Sequence, residues 1–163
     1  MKSNILTAVI SAAILTMTSC KSPQVIDSTY AGAGFKVECM GTDLDGSQTL
    51  RSWGTGKNKG QAMETAKKNA VRAVIFSGIT DGVAGCNVKP LLFEVNAEEK
   101  HEAYFNRFFA DGGAYKGYVS MKDEKRTSRI KSSNNAIENW GIVVRVDRAA
   151  LRQRLMEDGI LKP

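Results

Sequence analysis

One histidine and three cysteines stand among 163 residues, and neither an internal repeat nor a low-complexity tract is visible. A zinc site needs several convergent histidine or cysteine ligands, so this inventory argues against a metal centre. The longest apolar run, Ile5 to Met17, is about 13 residues, whereas a membrane-spanning helix needs roughly 20. The glycine-rich stretch Gly54-Thr55-Gly56-Lys57-Asn58-Lys59-Gly60 lacks the Gly-Lys-Ser/Thr of a P-loop. Its GxGxxxG spacing is one residue too long for a dinucleotide fingerprint. Nucleotide chemistry is therefore not expected, and these glycines read as a tight strand-to-helix turn.

What is present begins at the amino terminus. Met1 to Asn4 carries Lys2, an apolar run follows, and Met17-Thr18-Ser19 puts small residues directly before Cys20. A basic start, a short apolar stretch and a small-residue cleavage site are the layout of a secretory signal. The cysteine makes it resemble a bacterial lipoprotein signal, with Met17 where the lipobox usually has Leu, a looser form that implies a Bacteroidetes-like lineage. The resemblance implies cleavage after residue 19 and a diacylglyceryl group on Cys20. Two or three acyl chains, at ~0.8 kcal/mol per buried methylene, give lasting attachment. The expected location is the bacterial cell envelope, lipid-anchored, at the outer membrane. Residues 1–19 are then the signal peptide, 20–33 a tether and 34–163 one domain, a length sufficient for a single core.

The chain carries 23 Lys and Arg against 17 Asp and Glu, a net charge of +6, which loses one unit with Lys2. The cations are dispersed among acids, the pattern of a solvated surface. Cys39 and Cys86 form an even pair in an oxidising compartment. A bridge between them would close about 46 intervening residues and contribute about 3–4 kcal/mol. Two buried free thiols are the other reading.

Phe35 to Met40 and Gln48 to Trp53 read as a hairpin across the turn Asp43-Leu44-Asp45-Gly46-Ser47. That turn lacks the third ligand and closing glutamate of a calcium loop. Ala62, Ala66, Ala70 and Val74 recur at i,i+4 and predict a helix that approaches its sheet closely and ends at Gly78. Leu91 to Val95 is expected as a short strand. Asn96 begins a capping-box pattern for a helix bearing His101, Tyr104, Phe105, Phe108 and Phe109. Tyr115 to Lys131 reads as a long strand and Ser132 to Asn135 as a turn. Trp140, Ile142, Val144 and Val146 alternate on a further strand, and Asp147 caps a last helix that stops at Gly159 with Ile160 folding back. The order β-β-α-(β)-α-β-β-α, rich in hairpins, predicts an α+β fold with a mainly antiparallel sheet packed by two to three helices.

No catalytic constellation emerges. His101 between Glu99 and Glu102 is expected as a boundary residue rather than a general base, and no local motif joins it to Cys39 or Cys86. The aromatics, interleaved with Arg107 and Lys116, have core spacing, and neither they nor the compartment suits nucleic acid.

Trp53-Gly54-Thr55-Gly56, followed by the alanine stripe and by the closing strand and helix Trp140 to Met156, is similar to the lipoprotein-20-like family and to the amino-terminal domain of flagellar assembly protein T. The resemblance implies an α/β module without catalytic residues or cofactor, serving envelope assemblies, and carries over no functional residue. The expected function is that of a non-enzymatic envelope lipoprotein, held to the membrane at Cys20, that binds a protein partner or a second copy of itself. The alternative is a ligand-binding lipoprotein that takes an acidic glycan or lipid in a basic pocket.

Overall fold

The structure, a computed structural model, describes residues 24–25, 36–87, 89–122, 124–125, 129–134 and 137–162. Cys20, the signal segment and most of the expected tether lie outside the described residues.

The fold is α+β. Strand β1 is Gln24–Val25, β2 Val37–Thr42, β3 Gln48–Gly56, β4 Asp81–Gly82, β5 Val119–Ser120, β6 Ile130–Asn134 and β7 Ile137–Val146. Among the described residues they form one sheet in the order β1-β6-β7-β3-β2-β4, with β5 also beside β7. The β2–β3, β3–β7, β5–β7 and β6–β7 pairs are antiparallel, whereas β1–β6 and β2–β4 are parallel. Gln24–Val25 thus belongs to the sheet, although it lies in the stretch expected to be tether.

The β2–β3 hairpin closes through local turn chemistry. Gly46 adopts φ 81°, its amide donates to the Asp43 carbonyl at 3.0 Å, and the Ser47 amide donates to the Asp45 carboxylate at 2.9 Å. From Gln48 opposite Val146 to Gly56 opposite Glu138, β3 and β7 pair without interruption and form the sheet's centre.

Helix α1, Lys59–Arg72, starts at Asn58, whose side chain accepts from the Gln61 amide at 3.0 Å while Gln61 Oε1 accepts from the Lys57 amide at 3.1 Å. These bonds satisfy two donors at the helix entrance. Ala62, Ala66 and Ala70 are fully buried on the sheet. Ser52 Oγ donates to the Ala66 carbonyl at 2.7 Å and Asn69 Nδ2 to the Trp53 carbonyl at 2.8 Å, pinning helix to strand.

The glycines play a different part from the one expected. Gly54 and Gly56 lie within β3, and only Lys57 and Asn58 separate strand from helix. Gly56, like Gly54, is needed for approach rather than for turning, since a β carbon on it would stand 2.5 Å from the Ala62 amide nitrogen.

Beyond Arg72 the helix widens into a π-helical segment, Ala73–Ser77, ended by Gly78 at φ 74°. The Leu91 and Leu92 amides donate to the Val74 and Ile75 carbonyls at 3.0 and 2.8 Å. Leu91 to Val95 therefore caps a helix end and does not form the expected strand. Asn96 takes a left-handed conformation without a side-chain cap, so the capping box does not form. The aromatic helix is split at His101 into α2, Ala97–Lys100, and α3, Glu102–Phe108. Tyr115 to Lys131 is not one strand: a 3-10 helix spans Ala114–Tyr118, then β5 and later β6 follow. Asn134 extends β6 past the start of the expected turn.

Helix α4, Arg148–Glu157, is capped by Asp147, which accepts from the Ala150 amide at 2.8 Å. At its end Gly159 has φ 70°, the Gly159 amide bonds to Met156 and the Ile160 amide to Leu155 at 2.8 Å, a Schellman stop. Leu50, Ile142, Val144 and Val146 from the sheet meet Val74, Leu151 and Leu155 in the core. Phe105, Phe108, Phe109 and Tyr115 are buried with them, and the Phe76 and Phe105 rings meet edge to face at 4.7 Å.

Candidate functional site

The two central strands bring the β2–β3 turn and the start of α4 to the same end of the sheet, because Gln48 lies opposite Val146. A cleft of about 610 Å³ opens there. Its walls are Gly46 of the turn, Asn87, Lys89, Pro90, Leu91 and Phe93, the first turns of α4, and Leu161 and Lys162 after the Schellman stop. Four cations line it: Lys89, Arg148, Arg152 and Lys162. No carboxylate appears among its described lining residues, and none of the four forms an ion pair among the described residues. Pro90, Leu91, Phe93 and Leu161 supply an apolar wall.

The contrast with a second groove is informative. Around Gly56, Glu64, Lys68, Asp111 and Lys116 lies a space of about 500 Å³, and its charges pair with one another. Glu64 meets Lys67 at 3.1 Å and Lys116 at 3.0 Å and accepts from the Tyr115 hydroxyl, while Lys68 meets Asp111 at 2.9 Å. That groove is a neutralised structural network. The cleft at α4 keeps its positive charge open.

Arg148 is the most constrained of the four. Burial, and second the charge of Arg152, hold its guanidinium below the ordinary arginine pKa. It donates to the Val74 carbonyl at 3.5 Å, a weak contact. Arginine at the first position of a helix also opposes the helix dipole, and the acid beside it is the N-cap Asp147, which is engaged with the Ala150 amide. Arg152 stands one turn on, so the helix directs two like charges to one cleft.

The cleft wall is braced by Cys39 and Cys86, which form a disulfide with Cα atoms 5.8 Å apart. Cys39 lies in β2, and Cys86 immediately precedes the wall at Asn87. Gly82 makes the close crossing possible: at φ 103° its β carbon would meet the Cys39 carbonyl oxygen at 2.2 Å. The Val83 amide adds a bond to that same carbonyl at 3.0 Å.

The other sequence candidates are dispersed. His101 sits at the break between α2 and α3. Asp43 and Asp45 face Arg145 at 3.3 and 4.0 Å, and Asp45 is held below its ordinary pKa first by its hydrogen bonds with Ser47. Among the described residues no group of three or more histidine, cysteine or acidic side chains is placed to hold a metal, and no helix is long and apolar enough to cross a membrane. The cleft itself was not read from the sequence, in which its cations are scattered from Lys89 to Lys162. Arg148 and Arg152, i and i+4 at the start of α4, are the local signal that points to it.

Comparison with known proteins adds no relative: no family model, curated protein or solved structure matches the chain.

Proposed function

We propose that this protein is a lipid-anchored, non-enzymatic binding module of the bacterial cell envelope whose basic cleft holds an anionic ligand. The observation that carries this reading is the convergence of Lys89, Arg148, Arg152 and Lys162 on one cleft with no carboxylate in its described lining and no salt bridge to any of the four among the described residues. Cations left open at such a density, one of them half-buried, favour an anion that replaces the missing counter-charges. The apolar wall suits a ligand with a non-polar body, so the acidic group belongs to a lipid or a glycan. The described lining contains no Ser, Thr, Cys, His, Asp or Glu, which supports binding over acid–base or nucleophilic catalysis. The anchor is proposed from Cys20 and the segment before it.

Docking of an envelope protein is the second reading. Phe93 and Val95 are 69% and 87% exposed and border a further groove of about 380 Å³. Exposed apolar residues grouped in this way favour a protein contact.

A thermal-shift series with phosphorylated and carboxylated lipids and glycans tests the ligand. One class at 100 times its Kd should stabilise the protein by about 2.7 kcal/mol, and Arg152→Glu should abolish that gain. No stabilisation by any anion would overturn the cleft reading. Palmitate labelling tests the anchor: the wild type should incorporate label and Cys20→Ser should not.

A further inference from the structure

We infer that the cleft end of the domain is its membrane-facing surface and that its ligand is the anionic headgroup layer of the bilayer holding Cys20; this rests on the lipid-anchored, anion-binding reading above. The geometry starts from β1. Gln24 lies beside Ile130 and Val25 beside Lys131, in parallel, and those two β6 residues face Gly141 and Trp140 of β7. The amino-terminal end of β1 is therefore directed to the end of the sheet where β7 finishes at Val146 and α4 begins. That end lies five residues along β7 from Gly141, about 17 Å at strand spacing. Cys20 is four residues before Gln24, and four residues reach at most about 14 Å. A bilayer that holds acyl chains on Cys20 is thus kept close to the sheet.

Charge selects the surface that meets it. Lys89, Arg148, Arg152 and Lys162 line the cleft at this end. Beside them Leu44, at the tip of the turn that contributes Gly46 to the cleft, is fully exposed, and Phe93 is 69% exposed. Open cations flanked by projecting apolar side chains match a headgroup layer, where charge meets phosphate and the apolar tips enter the acyl boundary. The carboxylates of that turn, Asp43 and Asp45, face Arg145.

The test uses the mature chain carrying Cys20→Ser, which no acyl chain can hold. It is sedimented with vesicles of phosphatidylcholine alone or with added phosphatidylglycerol. Binding should require the anionic lipid and weaken with salt. Lys89→Glu/Arg152→Glu, both at exposed positions, should bind about thirty-fold more weakly or worse, whereas Lys57→Glu/Arg107→Glu, on other surfaces, should bind nearly as the parent does. Phe93→Trp provides a second readout, with emission shifting to the blue on anionic vesicles and not on neutral ones. Equal binding to both vesicles, or undiminished binding by the cleft variant, would overturn the inference. If vesicles fail but polygalacturonate, a soluble acidic glycan, stabilises the chain through Arg152, the anion-binding reading stands and the membrane-facing one falls. If neither binds, both fall.

Discussion

Gly54 of β3 and Ala66 of α1 meet at a distance that leaves no room for a side chain: a β carbon on Gly54 would stand 2.2 Å from the Ala66 amide nitrogen and 2.3 Å from the Ala62 carbonyl oxygen. Both neighbours are backbone, so relief requires the helix to lift from the sheet. Gly54→Ala should cost about 3 kcal/mol or more, at the upper end of overpacking effects, and lower the Tm by about 10 °C. Gly117→Ala, where a β carbon meets nothing within 4 Å, should stay within about 0.5 kcal/mol of the parent. A Gly54→Ala protein as stable as wild type would refute the close-approach role.

Glu64 predicts an acid-dependent loss of stability. Burial pushes its pKa up, but hydrogen bonds from Tyr115, Lys116 and Lys67 together outweigh burial and bring it from 4.5 to about 2. A depressed folded-state pKa means stability that is complete above pH 4.5 and disappears as the pH falls toward 2. The side chain is partly exposed, so solvent screening holds the effect to roughly 1 kcal/mol. Urea unfolding of wild type and Glu64→Gln should show a gap of that size at pH 7 that closes between pH 4.5 and 2. An unchanged gap at pH 2.5 would place its origin elsewhere.

The Cys39–Cys86 bridge closes a sequence separation of 47 residues. Replacing both cysteines with Ala should cost about 4 kcal/mol by the loop-entropy relation. The same change should speed amide exchange from Val83 to Lys89, because the segment loses its covalent hold on β2. Exchange at parental rates there would show that the hydrogen bonds alone secure the cleft wall.

Arg148 sets stability against binding. Arg148→Gln removes a cation from the start of α4 and forfeits only the 3.5 Å contact with Val74, so the protein should gain about 0.5 kcal/mol. The same variant should lose anion-induced thermal stabilisation. A drop of more than about 1 kcal/mol in the unliganded protein would instead mark Arg148 as a structural support.

Much of the local architecture was legible. Turn chemistry at Asp43 to Ser47, the alanine stripe of α1, the Asp147 cap and the Gly159 stop all act between residues within one or two turns of chain. Other stretches were misread. Leu91 and Leu92 look like strand residues, yet their amides serve the carbonyls of Val74 and Ile75. Asn96 has the composition of a cap, yet it adopts φ 60° and caps nothing with its side chain. Tyr115 looks extended, yet its ring is buried near Phe109, with centroids 5.9 Å apart. At Leu91, Leu92 and Tyr115, whose hydroxyl donates to Glu64, a long-range partner outweighed local preference.

The sequence by itself determined the α+β class, the β2–β3 hairpin and the two main helices, because periodicity and capping are short-range effects. Tertiary structure alone decided that Gly54 and Gly56 admit a helix, that Cys39 meets Cys86, and that Lys89, Arg148, Arg152 and Lys162 share one cleft. Those facts depend on how β3 pairs with β7 and where α1 and α4 then come to rest, and no local pattern encodes the approach of residues so far apart in the chain.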